Sequence, residues 1–526
     1  MAAEIELKLA LPEQAQRLFL RHPLLRQAAR RSAQRLLNVY YDTPQLELRE
    51  RGIALRLRRK GGRWLQTVKC VGDEAGGIAM RPEWEAPYAG HFDFSAIEDE
   101  QVRAWLERPK IAARLAPVFE THFQRTAWLF VQADGARIEL ALDRGWIAAA
   151  GSQAPISEVE LELLDGAPDA LFALALALAE RAPLIPAPLS KADRGYALFL
   201  KTPPAPARAA PVALSAAMSP LAAFRAIALA CLDQLQRNHA PALTSEDAEY
   251  IHQMRVALRR LRAAVRLFRP LLPEDFASQT VALVRELMAP LGQARDYDVL
   301  LAEIAQPVLA ALPDEPRLAA LISALTARRA AVRQHVLDGL ITPRYGQIAL
   351  TLLARVHALD ETATPAAPAS SLPAFARQRL RRLRKKTLAL ARAADAAQPA
   401  SLHALRIGIK RLRYALDFFA PIAGKKRTRR LLEQLAALQD VLGQINDLAN
   451  AGALLMDCAG HDAALREAVS LIAGWHGPRY QKLLAAIPPG IAKLGSLPLP
   501  RLAKCHHSVM AAPYPDEPIE EKAETI

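Results

Sequence analysis

Through the first 200 positions polar and apolar residues alternate. Glu4, Glu6 and Lys8 interleave with Ile5, Leu7 and Leu9, and Arg56 and Arg58 with Leu55 and Leu57. Arg137, Glu139 and Asp143 share one parity and Ile138, Leu140 and Leu142 the other; Glu158, Glu160 and Glu162 stand in the same relation to Val159, Leu161 and Leu163. A period of two sends successive side chains to opposite faces, so this segment predicts antiparallel strands with one charged and one apolar face, closed into a barrel. Helices are predicted near Glu13 to Ala29 and Pro168 to Arg181. Beyond residue 212 the period changes to three and four, and Leu, Ala and Arg dominate, which predicts helices. The fold class is therefore multidomain α+β: an antiparallel β barrel with flanking helices, then an all-α region.

The helical region repeats itself. His252-x-x-Arg255-x-x-x-Arg259-Arg260-Leu261-Arg262 matches His403-x-x-Arg406-x-x-x-Lys410-Arg411-Leu412-Arg413, and the same offset relates Leu291-Gly292-Gln293 and Asp296 to Leu442-Gly443-Gln444 and Asp447. Ala223-Phe224 and Ala374-Phe375 extend it upstream. A single offset across several blocks reads as a duplicated helical bundle with a pseudo-twofold relation. Pro/Ala-rich stretches at 201–211 and 363–373 read as connectors. The expected organisation is a barrel domain over 1–200, a linker over 201–211, a helical domain over 212–500 with repeats 212–362 and 374–500, and a mobile tail over 501–526.

Charge sharpens this division. Of 68 Lys+Arg and 54 Asp+Glu, residues 1–200 hold 26 of each, so the whole formal surplus of +14 lies in the helical part. A basic chain is first read as a nucleic-acid binder, but here only the helices are basic. Apolar content of 52% excludes disorder as the main state. No apolar run reaches the roughly 18 residues of a membrane span. With acids at its start and four dispersed cysteines, the chain is expected to be cytoplasmic, without a disulfide framework. Cys505, His506 and His507 lack a nearby fourth ligand and are not read as a metal site.

Like charges two apart on one strand face, such as Arg56/Arg58 or Glu83/Glu85, repel unless a counter-charge sits between them. Turned inward, such strands offer carboxylates to a hard cation and Arg/Lys to phosphate oxygens, the needs of phosphoryl transfer. The motif Glu4-Ile5-Glu6-Leu7-Lys8 resembles the ExExK opening of the CYTH superfamily of triphosphate tunnel enzymes. The likeness continues through Tyr40-Tyr41-Asp42-Thr43-Pro44, Arg56-Leu57-Arg58, Thr67-Val68-Lys69, Arg81-Pro82-Glu83-Trp84-Glu85, Phe123-Gln124-Arg125, Glu158 to Leu163 and Ser190 to Tyr196. It implies an eight-stranded tunnel binding a triphosphate with Mg²⁺ or Mn²⁺. By the same resemblance Glu4, Glu6 and Lys8 are catalytic, with Lys8, Arg56, Arg58, Lys69, Arg125 and Lys191 on phosphate. The metal acids are Glu4 and Glu6 with two of Glu158, Glu160 and Glu162, and Glu83, Glu85, Glu139 and Asp143 are further tunnel acids. Parity leaves open which late pair serves, and Arg194 is expected to pair with an acid.

On a helix His252, Arg255, Arg259, Arg262 and Arg266 fall within about 80° of each other, beside Met254, Leu258, Leu261, Val265 and Phe268. His403, Arg406, Lys410 and Arg413 repeat the stripe. Within each helix no acid relieves it until Asp417, which points to a polyanion partner. These helices resemble the CHAD domain, which implies binding of inorganic polyphosphate. The reading is an inorganic triphosphatase with a polyphosphate-binding helical domain. Its alternatives are a class IV-type adenylate cyclase, a thiamine triphosphatase for which Trp64 or Trp84 could supply a platform, or a non-catalytic polyphosphate-binding protein. Nucleic acid is disfavoured because the stripes lack interleaved aromatics.

Overall fold

The computed structural model describes residues 4–70, 72–75, 78–202, 204–359 and 371–503, and the side chains of all of these except residues 4, 73–75 and 78–81. The tail trio Cys505, His506 and His507 lies outside the described residues.

Among the described residues eleven strands form one antiparallel sheet: β1 (Glu4–Ala10), β2 (Arg30–Asp42), β3 (Ile53–Lys60), β4 (Arg63–Cys70), β5 (Asp73–Ala75), β6 (Ile78–Arg81), β7 (Glu83–Pro87), β8 (Ala116–Val131), β9 (Arg137–Ala149), β10 (Ser152–Asp165) and β11 (Ile185–Pro186). The ladders run β5-β6-β1-β10-β9-β8-β2-β3-β4-β7, with β11 beside β1. Among the described residues no ladder joins the two ends, which corrects the expected closed barrel. The chain itself bridges them: β6 pairs with β1, β7 pairs with β4, and only Pro82 separates β6 from β7. Proline has no N–H to continue a ladder, although the Cys70 N–H still donates to Pro82 O at 3.1 Å. Counted as one interrupted strand, β6 and β7 leave eight strands in the circuit, completed covalently and not by hydrogen bonds.

The apolar parity is buried as its period requires. Leu7, Leu9, Leu55, Ile138, Leu140, Leu142, Val159 and Leu161 are fully enclosed. On β3, β4 and β7 this face packs Ile53, Leu55, Val68 and Trp84 against Phe94, Ile97, Trp105, Leu106 and Ile111. The expected helix over 13–29 is broken into a 3₁₀ turn (Glu13–Ala15), one short helix (Gln16–Leu20) and a second 3₁₀ turn (Pro23–Gln27); Pro23 cannot continue a helix from residue 20. The other expected helix spans Asp169–Ala179.

The helical region recurs as expected: Pro220–Thr244, Glu249–Phe268, Glu274–Val299 and Pro316–Leu340 correspond to Leu372–Arg392, Pro399–Phe418, Lys425–Ala459 and Ala463–Ser496. A further helix, Pro343–His357, has no counterpart among the described residues of the second repeat. The chain packs into two compact units, one of Met1–Ala209 with Leu229–Ala257 and Gln334–Ala358, the other of Ala210–Ala228, Leu258–Arg333 and Leu359–Ile526. Among the described residues no helix is long and apolar enough to cross a membrane.

Candidate functional site

Ladder register places the charged parity on one inner face. Glu6 lies opposite Glu162, and Lys8 opposite Glu160; Glu162 also faces Glu139, and Glu158 faces Asp143. Asp143 faces Arg125, Arg56 faces Thr67 and Tyr40, and Lys69 faces Glu83. Glu6, Lys8, Arg56, Arg58, Lys69, Glu83, Glu85, Arg125, Glu139, Asp143, Glu158, Glu160 and Glu162 therefore share a face. The Glu4 backbone pairs with Arg81, but its side chain lies outside the described residues.

At one level the inner face is neutralised from within. Lys191 opens the helix Lys191–Phe199, whose capping box joins Ser190 and Asp193. Its ammonium donates to Asp143 Oδ2 at 2.6 Å and Glu160 Oε1 at 2.8 Å, and it pairs with Glu158. Arg125 forks onto Asp143 at 2.8 and 2.7 Å and also meets Glu160, while Arg194 pairs with Glu158, as expected. Burial opposes ionisation of Glu160, yet Lys191, Arg125 and Lys8 hold its carboxyl well below the usual range. Burial also opposes charge on Lys191, and Asp143, Glu158 and Glu160 overcome it, raising its pKa.

At the neighbouring level toward Glu6 the balance fails. Burial, with Glu160 close by, raises the Glu6 carboxyl despite Lys8, Lys69 and Lys191; Lys8 reaches Glu6 only at 4.0 Å. Glu162 is raised by burial and by Glu139 and Glu6. In both, burial is the largest cause and the nearby cations do not offset it.

On β3 the deficit has the opposite sign. Arg56 donates to Glu83 at 3.2 Å, and Lys69 meets the other Glu83 oxygen at 2.5 Å. Arg58 donates to Asn38 Oδ1 at 3.0 Å, but Glu85 stands 4.0 Å away. Burial, with Arg56 and Arg125 nearby, lowers the Arg58 pKa to about 10. A half-buried guanidinium so short of counter-charge is a place for an anion.

The far end of this face is apolar. Leu36, Tyr40, Phe119, Phe123, Ile147, Ala149 and Ile156 pack around Tyr196 of the Lys191 helix. Gly195 permits that approach, since a Cβ there would fall 2.2 Å from the Phe119 ring. The helix is anchored by Asp42, which is fully buried: its oxygens accept from Tyr196 OH at 2.9 Å and from the backbone N–H groups of Thr43, Leu48 and Arg49 at 2.7, 2.9 and 3.0 Å. In the sequence Asp42 and Tyr196 stand only as parts of separate motifs; their shared bond gives both motifs a structural reason. Trp64 and Trp84 lie opposite Arg59 and Val68, on the outer parity.

Among the described residues one carboxylate set brings its ligand atoms together closely enough to share a cation. Ligand atoms of Asp143, Glu158 and Glu160 lie within 4.8 Å of one another, yet Lys191, Arg125 and Arg194 already neutralise them. Glu6 and Glu162, paired across β1 and β10 with Glu139 next in register, are the less compensated carboxylates of this face. An all-oxygen carboxylate set short of positive charge suits a hard divalent ion.

In the helices, the apolar residues Met254, Leu258, Leu261, Val265 and Phe268 are buried and the basic residues beside them half-buried, apart from exposed His403. His252 and Arg255 belong to the first unit; Arg259, Arg262, Arg266, Arg406, Lys410 and Arg413 belong to the second. Within the second unit, Arg259 donates to Tyr414 OH at 3.1 Å, and His403 Nδ1 lies 3.2 Å from Asn446 Oδ1. Burial and nearby Arg259 lower the Arg406 pKa, against the opposing pull of Asp447 and Asp296. The repeats thus bring Arg259 and Arg406 into one electrostatic neighbourhood. An acid from another helix, invisible to single-helix reading, tempers the stripe: Asp447 stands 4.0 Å from Arg406. Asp417 instead pairs with Arg260, beside the first stripe.

Comparison with known proteins follows the same division. Residues 2–196 match the CYTH domain family and 226–456 the CHAD domain family. Among curated proteins, the inorganic triphosphatase of Haemophilus influenzae is 33% identical over 165 residues, 31% of this chain and 46% of that protein, so the match spans less than half its length. Among solved structures, the CHAD domain of the plant Ricinus communis is 35% identical, covering 57% of this chain and 99% of its own, with a TM-score of 0.49. A Hippeastrum protein described as a candidate adenylyl cyclase with a dominant triphosphatase activity is 18% identical, covering 38% of this chain and 95% of its own, with a TM-score of 0.28.

Proposed function

We propose that this chain, which carries an N-terminal CYTH domain and a C-terminal CHAD domain, hydrolyses inorganic triphosphate to pyrophosphate and phosphate and binds inorganic polyphosphate through its helices. One observation carries the first part: a single inner face holds both half-buried carboxylates whose ionisation is under-compensated, Glu6 and Glu162, and a half-buried cation in the same condition, Arg58. A metal-bound phosphate chain supplies both missing charges together.

In this reading Arg56, Arg58 and Lys69 bind the phosphates, Arg forking onto oxygens and Lys acting as a point charge. Lys8, Arg125 and Lys191 border the acids and position the chain of phosphates between the two levels. Glu6, Glu139 and Glu162, with Glu4 by its family motif, would hold Mg²⁺ or Mn²⁺. That ion, when bound, neutralises charge on the phosphoryl oxygens. Water attacks the terminal phosphorus, the anhydride bond breaks and pyrophosphate departs, so the protein's contribution is positioning and charge neutralisation.

Substrate choice rests on where the described aromatic side chains stand. Trp64 and Trp84, the candidate platforms for thiamine, point outward, and Tyr196 already fills the apolar end. A panel of inorganic triphosphate, ATP and thiamine triphosphate, each with Mg²⁺, tests the reading: inorganic triphosphate is turned over fastest, and faster thiamine triphosphate or ATP turnover overturns it.

For the helices, the full chain should bind long-chain polyphosphate with an affinity that falls steeply with salt, as polyanion binding by Arg and Lys does. Arg259→Ala/Arg406→Ala together should weaken it about tenfold or more, and duplex DNA should compete poorly. Preferential retention of DNA in a competition titration would rule out this part.

A further inference from the structure

The Pro343–His357 helix is an odd member of the helical region, since the described second repeat has no helix after Ser496. It belongs to the compact unit that contains the sheet. There its apolar face, Tyr345, Ile348, Ala349, Leu352, Leu353 and Val356, is buried. The Gln347 side chain donates to Ala179 O at 3.2 Å, and the rings of His357 and Phe172 lie 5.2 Å apart.

The tightest approach is at Gly346. A Cβ built there would stand 2.3 Å from Leu184 O and 3.1 Å from Leu184 C, both backbone atoms that no rotamer change can move. Only glycine lets the helix lie so close. What it lies against is the connection into the inner face. Ile185 and Pro186 pair with Ala10 and Leu9, and the Ala187 N–H donates to Lys8 O at 3.0 Å. Four residues after Ala187 comes Lys191, bound to Asp143, Glu158 and Glu160. Ala182 and Leu184 are fully buried, so displacement here passes to β1 and to the start of the Lys191 helix.

We propose that the Pro343–His357 helix, through Gly346, is a positioning element for the inner face: it presses residues 184–187 onto β1 and so fixes the backbone that carries Lys8 and Lys191. Its catalytic consequence rests on the triphosphatase reading, its structural content does not. A chain cut after the sheet segment would lose this strut and leave Phe172, Ala179 and Leu184 uncovered.

The test uses the full chain with Gly346→Ala, with the milder Gln347→Ala in case the first does not fold, and with Gly339→Ala as control, since a Cβ at Gly339 meets nothing within 4 Å. Amide hydrogen exchange and triphosphate kinetics are read together. Expected for Gly346→Ala is exchange at least tenfold faster across residues 184–194 with β8 and β9 unchanged. With it kcat should fall tenfold or more while KM stays within about threefold, because Arg56, Arg58 and Lys69 sit on strands this segment does not touch. Gln347→Ala should show the same pattern more weakly, and Gly339→Ala neither effect. Unchanged exchange at 184–194 in both test variants, uniformly faster exchange throughout the unit, or local loosening with unchanged kcat would each overturn the proposal. Absence of triphosphate turnover in the unaltered chain would overturn the functional reading instead, leaving the strut to be judged by exchange alone.

Discussion

Replacing Lys191 with alanine is expected to cost both activity and stability. Its ammonium lies within 2.8 Å of Asp143 and Glu160 and also pairs with Glu158, in a site where Asp143 is wholly enclosed. Taking away one partner of a buried ionic cluster leaves carboxylates dehydrated without compensation, a loss of roughly 3–5 kcal/mol. Arg125 and Arg194 remain and place the expected value at the lower end of that range. The effect on catalysis should be larger than a stability loss accounts for. Removing a preorganised charge from a buried site commonly costs a factor of about 10²–10³ in kcat. Denaturant midpoints together with kcat for triphosphate check both parts. A Lys191→Ala chain that keeps its midpoint and its turnover would show that Arg125 alone organises this level.

The second large effect concerns the uncompensated acids. Glu6 and Glu162 have pKa values raised in the folded chain, chiefly by burial. A raised carboxyl favours the folded state while protonated. That contribution is fully present below the ordinary glutamate range and is lost as pH rises through the folded value. Near neutral pH both groups therefore strain the metal-free chain. Glu6→Gln/Glu162→Gln should raise the melting temperature of metal-free protein at pH 7.5, and the gain should shrink as pH falls through the raised values toward 4.5. The same variant should lose the stabilisation that Mg²⁺ gives the unaltered chain, and its triphosphate turnover should drop at least a hundredfold. Thermal melts with and without Mg²⁺ at several pH values check this. If Mg²⁺ stabilises the double variant as strongly as the unaltered chain, the ion is held elsewhere, with Asp143, Glu158 and Glu160 the next candidates.

The inner face was legible because side-chain parity in a strand is rigid: once Glu6 and Lys8 point inward, every second residue of each paired strand does too. What parity does not carry is level along the strand. Glu158, Glu160 and Glu162 look alike in sequence, and only the ladder shows that Glu160 meets Lys8 and Glu162 meets Glu6. The duplication was equally legible, and the structure extends it to the 3₁₀ turns Arg269–Leu271 and Ala420–Ile422, which stand at equivalent positions. Partners supplied by distant elements were not: Asp447 beside Arg406, Asp42 beneath Tyr196 and Leu184 beneath Gly346 share no local pattern with the residues they touch. The break at Pro82 was visible as a residue, but its consequence, a circuit closed through the chain, depends on which strands flank it.

The central claim is that one inner face takes inorganic triphosphate together with a divalent ion. Its most direct test is phosphorus NMR of the full chain incubated with inorganic triphosphate and Mg²⁺, with ATP as the parallel substrate. The account predicts one pyrophosphate and one orthophosphate per triphosphate consumed, faster turnover of triphosphate than of ATP, and loss of the reaction in Glu6→Ala or on chelation. ATP turnover equal to or faster than that of triphosphate, or triphosphate hydrolysis that survives Glu6→Ala, would contradict it.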